Sequence, residues 1–172
     1  MALPDVMLGF AISLLMGFIP MAFYSLMITL IDRYEREPFL LMLGVFLWGF
    51  IVASGIALVL NTLFGNLILL VTGSREIALL GSAVLSAPLV EETAKGLAVL
   101  SVFLFFRNEF DSVIDGIIYG SLVGFGFAAA ENILYGMKGF ASMGFTGLIA
   151  ISFLRNLLIP FLHGFLTSLT GI

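Results

Sequence analysis

The sequence contains no cysteine. A disulfide framework and a thiolate metal site are both excluded by that absence. Charge is scarce too: Asp, Glu, Lys and Arg make up 10% of the 172 residues, against roughly a quarter in a soluble domain. There is one histidine and one tryptophan, and the net charge is −4 with no basic patch, which excludes a nucleic-acid partner. What fills the chain instead is apolar: 61% of residues are hydrophobic, and the mean hydropathy is +1.20. A water-soluble globular protein is ruled out, and so is disorder, because there is too much to bury. The sequence describes an all-α integral membrane protein, a polytopic transmembrane helix bundle in the lipid bilayer. The length allows one domain, residues 1–172.

A spanning helix needs about 20 mostly apolar residues. The apolar runs give about five main spans, near 6–31, 39–63, 77–106, 113–135 and 145–172, with broken or interfacial pieces. Between the first two, Asp32-Arg33-Tyr34-Glu35-Arg36-Glu37-Pro38 packs five charges and a proline into seven residues, a solvated turn. As one straight helix, 77–106 would stretch about 45 Å across a hydrocarbon core of roughly 30 Å. The break signal Ser86-Ala87-Pro88 points to a short segment leading into a helix that starts near Pro88. Arg107–Asp111 is a polar hairpin, and 136–144 reads as a loop. The turns at 32–38 and 107–111 carry Arg33, Arg36 and Arg107, against Arg75 and Lys138 on the other side. The positive-inside rule then places the first and third loops in the cytoplasm. The chain stops at Ile172 without a polar tail, which reads as a short or trimmed member of its type.

Glu91, Glu92, Lys95, Asp115, Glu131, Arg155 and His163 lie inside these spans. A charge at the bilayer centre costs at least ~2.5–3.5 kcal/mol on the insertion scale, so such groups are functional candidates. Asp115 and Arg155 sit near helix ends, where snorkelling or pairing as packing glue explains them equally well. Adjacent carboxylates at 91 and 92 have no cheap structural purpose. Lys95 is four residues after Glu91 and three after Glu92, within reach of either on one helix. The two glutamates are about 100° apart on the helix, so one pairs with Lys95 while the other points elsewhere. On the next helix Gly116, Gly120, Gly124 and Ala128 recur every four residues, a strip along which a neighbouring backbone packs closely. Glu131 falls within about 20° of Gly124 and faces the same interior, with Asn132 beside it.

Depth agrees. Glu92 lies about 21 Å before Phe106, and Glu131 about 27 Å after Val113, on helices antiparallel across the 107–111 hairpin. Asn156, His163, Thr167 and Thr170 form a polar stripe on the last span. For His163 to reach the level of Glu131, that span must begin near Ser152 or break at Pro160.

In this order the residues carry a resemblance. Glu91-Glu92-Thr93-Ala94-Lys95 resembles the Glu-Glu-x-x-Lys motif of the PrsW family of intramembrane proteases. Asp115-Gly116, Tyr119-Gly120, Gly124-Phe125-Gly126-Phe127-Ala128 and Glu131-Asn132 with Tyr135 resemble that family's second motif. Arg155, Pro160 and His163 are similar to the third, and the charged turn 32–38 to the first loop. The likeness runs from about residue 30 to 170. It implies kinship with the CAAX prenyl proteases and their bacterial relatives, and an endopeptidase acting on membrane-anchored proteins, anti-sigma factors among them, in a prokaryotic plasma membrane. It also implies a divalent metal, zinc for preference, or a glutamate-activated water.

Peptide hydrolysis needs an activated water, a polarised carbonyl and a proton for the leaving amine. The expected general base is Glu92 or Glu91, with Lys95 fixing its neighbour's protonation. Glu131 and His163 either hold a metal together with Glu92 or bind the water directly. Asn132 or Asn156 would support the oxyanion. No Gly-x-Ser-x-Gly exists, and Asp115 alone cannot make an aspartyl dyad. The rival class is a proton- or cation-coupled carrier, which uses the same buried carboxylates and histidine. No internal repeat is visible to favour it.

Overall fold

The computed structural model describes residues 2–31 and 37–172. Among these residues, four helical stretches are long and apolar enough to cross a membrane: α1 Leu3–Thr29, α2 Phe39–Thr72, α3 Arg75–Phe105 and α4 Val113–Leu169. No strand occurs among the described residues. Most of the charged turn expected at 32–38 lies outside them, leaving Glu37 and Pro38.

At 57 residues, α4 would reach about 85 Å if straight, too long for any bilayer. It breaks at Met143 (φ −136°) and Gly144 (φ 65°, ψ −151°), where glycine alone takes the left-handed backbone without strain. The two limbs, α4a (113–142) and α4b (145–169), fold back on each other, which makes five passes among the described residues. The expected loop at 136–144 is thus mostly helix, because small residues there allow the limbs to close up. A Cβ at Gly139 would lie 2.6 Å from the Gly147 carbonyl oxygen, and one at Gly124 would lie 2.5 Å from that of His163.

Residues 118–129 of α4a are buried without interruption. A helix covered all round is a core helix, and α1, α2, α3 and α4b surround it. Their outer faces carry the exposed apolar residues, with Leu40, Leu70 and Phe105 each at least 78% exposed. Such a surface suits lipid, not water.

Local signals explain the helix ends. Ser112 caps α4: its Oγ accepts from the Asp115 N–H at 3.3 Å, and Asp115 Oδ2 accepts from the Ser112 N–H at 2.7 Å. This reciprocal box satisfies two orphan donors, and so Asp115 is accounted for by its helix end. Tyr119, fully buried one turn on, donates its hydroxyl to Glu37. The break signal near Pro88 is absorbed differently from expectation. α3 runs continuously through a π-helical turn, Ser82–Ser86, and Pro88 enters the first turn of regular α-helix that follows, where its missing N–H costs little. A second π-turn, Trp48–Ala53, lies inside α2.

Candidate active site within the bundle

Lys95 is fully buried, and a buried ammonium must be paired. It projects from α3 toward α4 and donates to Glu92 Oε1 at 2.5 Å, the three-residue pairing expected along one helix. The same Nζ lies 3.0 Å from His163 Nδ1 on α4b and 4.2 Å from the centroid of the Phe127 ring. Thr167, one turn after His163, donates to the other Glu92 oxygen at 3.2 Å.

An ammonium only donates hydrogen bonds, so Nδ1 of His163 accepts. The ring proton then sits on Nε2, which donates to Glu131 Oε2 at 3.1 Å. Arg155 Nη2 reaches the same oxygen at 2.8 Å, and Arg155 Nε donates to Asn132 Oδ1 at 2.9 Å. The amide of Asn132 donates to Asn156 Oδ1, and that of Asn156 to the Met16 carbonyl of α1, both at 2.8 Å. One connected series therefore runs Thr167, Glu92, Lys95, His163, Glu131, Arg155, Asn132, Asn156.

Glu91 takes the other direction, as two adjacent helical positions must. It faces α2, where Asn61 Nδ2 lies 3.5 Å from its Oε1. Asn61 is itself held by Ser86, whose hydroxyl donates to Asn61 Oδ1 at 2.8 Å, and by Ser82, which donates to its backbone carbonyl at 3.1 Å. Both serines belong to the π-turn of α3, and π-bulges in helices recur at functional sites. The other π-turn presents Trp48, whose indole N–H donates to the Ala94 carbonyl at 3.0 Å, next to Lys95.

His163 meets Glu131 without the late start or break that equal depth seemed to require. Across the hairpin His163 lies opposite Gly124, seven residues or about 10 Å from the level of Glu131. Side chains lean toward the N-terminus of their own helix. On antiparallel limbs Glu131 and His163 therefore lean toward each other, and Pro160 stays inside a continuous helix.

Asn61, Ser82, Ser86 and Trp48 are absent from a reading built on ionisable groups. An amide in an otherwise apolar span was the available signal for Asn61. The asparagines expected to support an oxyanion, Asn132 and Asn156, each spend a side-chain N–H inside the series.

The fold and this buried constellation define a polytopic membrane protein with a carboxylate, imidazole and ammonium site enclosed by its helices. The sequence profile described as "PrsW family intramembrane metalloprotease" matches residues 37–172, and the chain belongs to that family. It is similar to Protease PrsW of Geobacillus kaustophilus (strain HTA426), with 39% identity over 104 residues, covering 60% of this chain and 43% of the relative. Protease PrsW of Clostridioides difficile (strain 630) is 33% identical over 121 residues, 70% of this chain and 49% of the relative. Protease PrsW of Bacillus subtilis (strain 168) is 34% identical over 107 residues, 60% and 44% of the respective lengths. The chain thus spans less than half the length of these curated relatives. No solved structure matches it.

The family's description is that of a metalloprotease. Among the described residues, no three His, Cys, Asp or Glu side chains are placed to share an ion. Glu92, Glu131 and His163 offer the right donor chemistry, but Lys95 stands between Glu92 and His163. In this arrangement both imidazole nitrogens are engaged, Nδ1 by Lys95 and Nε2 by Glu131. Metal binding through either nitrogen requires one of those contacts to part, so the arrangement does not fit a shared ion as it stands.

Proposed function

We propose that this chain is the core of an intramembrane endopeptidase that hydrolyses peptide bonds of membrane-anchored proteins in a bacterial plasma membrane. Glu91, Glu92, Lys95, Glu131 and His163 form its site. The observation that carries this reading is the Glu92–Lys95–His163–Glu131 series, which joins three separate sequence motifs through hydrogen bonds of 2.5–3.1 Å. Membership of a protease family supports it.

A glutamate of the site takes a proton from water while the water oxygen bonds to the scissile carbonyl carbon. That proton then passes to the amine as the C–N bond breaks. The cation of Arg155, which is not fully enclosed, supplies positive charge where the oxyanion develops. Regulators such as membrane-held anti-sigma factors are the proposed substrate class. Zinc is the ion that suits a Glu/Glu/His donor set, and binding it here would require His163 to give up its contact with Lys95 or with Glu131.

The test is cleavage of a single-pass test substrate by the purified protein in liposomes, beside Glu131→Gln and His163→Ala and with metal measured per chain. Cleavage by wild type alone supports the reading. About one zinc per chain, lost in both variants, would add a metal to the site. Proton-coupled flux in liposomes without substrate, and no cleavage, would instead make this a carrier.

A further inference from the structure

The two carboxylates at the ends of the central series are held differently. Glu92 has both oxygens occupied, Oε1 by Lys95 and Oε2 by Thr167. Glu131 has both of its donors, Arg155 Nη2 and His163 Nε2, on Oε2. Among the described residues nothing donates to Glu131 Oε1. Glu91 is turned toward α2, with only the long Asn61 contact. Of the three glutamates, Glu131 alone combines a fixed carboxylate, a neighbouring imidazole and a free oxygen.

What fixes it is Arg155. A guanidinium is a planar fork whose N–H groups have set directions, and this one is anchored on two sides besides its contact with Glu131. Its Nε is tied to Asn132, its plane lies 4.0 Å from the Tyr135 ring centroid, and Asn132 is itself tethered through Asn156 to the backbone of α1. Charge neutralisation alone would not need the Nε contact, since a lysine would serve. The second arm matters for direction.

We propose that Arg155 is a positioning residue that turns Oε1 of Glu131 toward the attacking water, so that Glu131, and not Glu92, takes the proton. This rests on the protease reading above. The water's O–H bond breaks toward Glu131 Oε1, its oxygen bonds to the carbonyl carbon, and the carboxylic acid returns the proton to the departing amine. Arg155 neither gives nor receives a proton.

Kinetics of single-pass substrate cleavage in liposomes test it, with Arg155→Lys as the central variant because it keeps the charge and loses the arm to Asn132. The expected result is a fall in kcat of about ten- to a hundredfold, the scale of a misplaced catalytic group, with KM within about twofold. Glu92→Gln should retain measurable turnover where Glu131→Gln retains none. Unchanged kcat in Arg155→Lys, or a dead Glu92→Gln beside a live Glu131→Gln, would each overturn the proposal. Should Arg155→Lys fail to fold, Arg155→Ala with added guanidinium replaces it, and absence of any recovery in kcat counts against the role. If wild type itself does not cleave, the protease reading fails. If wild type cleaves and Arg155 proves indifferent, only the positioning role does.

Discussion

Lys95 Nζ and His163 Nδ1 stand 3.0 Å apart, and this contact ties the third helix to the last limb of the bundle. It also decides which imidazole nitrogen carries the proton, since the partner on the Lys95 side can only donate. The histidine is thus handed to Glu131 with its N–H already aimed.

Removing the cation should therefore do more than subtract a charge. Lys95→Met leaves Glu92 without its ion-pair partner and frees Nδ1, so the ring loses its preferred tautomer. Breaking a buried pair from one side costs about 3–5 kcal/mol. A marked drop in the thermal midpoint in detergent is expected, together with loss of cleavage. A variant with wild-type stability and turnover would contradict the pairing.

The glycine strip supplies a steric test with its own control. A Cβ at Gly124 would meet the His163 carbonyl oxygen at 2.5 Å and Gly164 Cα at 2.9 Å. Both are backbone atoms, so the limbs must part. Gly124→Ala should cost about 1–3 kcal/mol, as overpacking does, and lower turnover about a hundredfold by displacing His163. Gly55 has nothing within 4 Å of an added Cβ. Gly55→Ala should leave turnover intact and raise stability by up to about 1 kcal/mol. Equal behaviour of the two variants in thermal unfolding would refute the close approach.

Trp48 offers a milder probe of the π-turn in α2. Trp48→Phe keeps an aromatic ring but removes the donor to the Ala94 carbonyl. The loss should be about 1 kcal/mol, the usual net value of one hydrogen bond, and it is read from the unfolding midpoint. A shift no larger than experimental scatter would show that the indole N–H contributes nothing there.

Outside the spans, burial pushes Glu37 up from 4.5 to about 7, with Asp115 and Glu109 adding repulsion and the Tyr119 hydrogen bond opposing. The folded state thus keeps a proton that the unfolded chain releases between those values. Its contribution to stability is full below pH 4.5 and is lost as pH rises through about 7. Unfolding midpoints measured from pH 5 to 8 should fall with pH in wild type and fall less in Glu37→Gln. Parallel profiles would rule out Glu37 as the source.

The sequence exposes whatever depends on spacing along one helix. Glu92 and Lys95 are three apart and do pair, Glu91 does turn elsewhere, and the glycines at 116, 120 and 124 do receive the last limb. It exposes less where three dimensions intervene. The meeting of Glu131 with His163 depends on both side chains leaning along opposed helices, which a count of rises ignores. The π-turns leave no periodic trace, because one extra residue in a helical turn changes direction without changing composition. Asn61 escapes because amides in spans attract less notice than charges, and Asn132 and Asn156 look like free donors until their partners are known.

The arrangement of opposite charges has a consequence for how the protein enters the bilayer. Glu92 and Lys95 sit on one helix, while Glu131 and Arg155 sit on one hairpin. Each carboxylate therefore travels with its own counter-ion inside a single inserting unit. Neither unit has to wait for the other to have these charges compensated, although a lone charged residue at the centre would cost ~2.5–3.5 kcal/mol. The final hairpin can partition with Glu131 already compensated, and the third helix with Glu92 compensated beside Glu91. The Lys95–His163 contact is left for later, when two already settled halves dock.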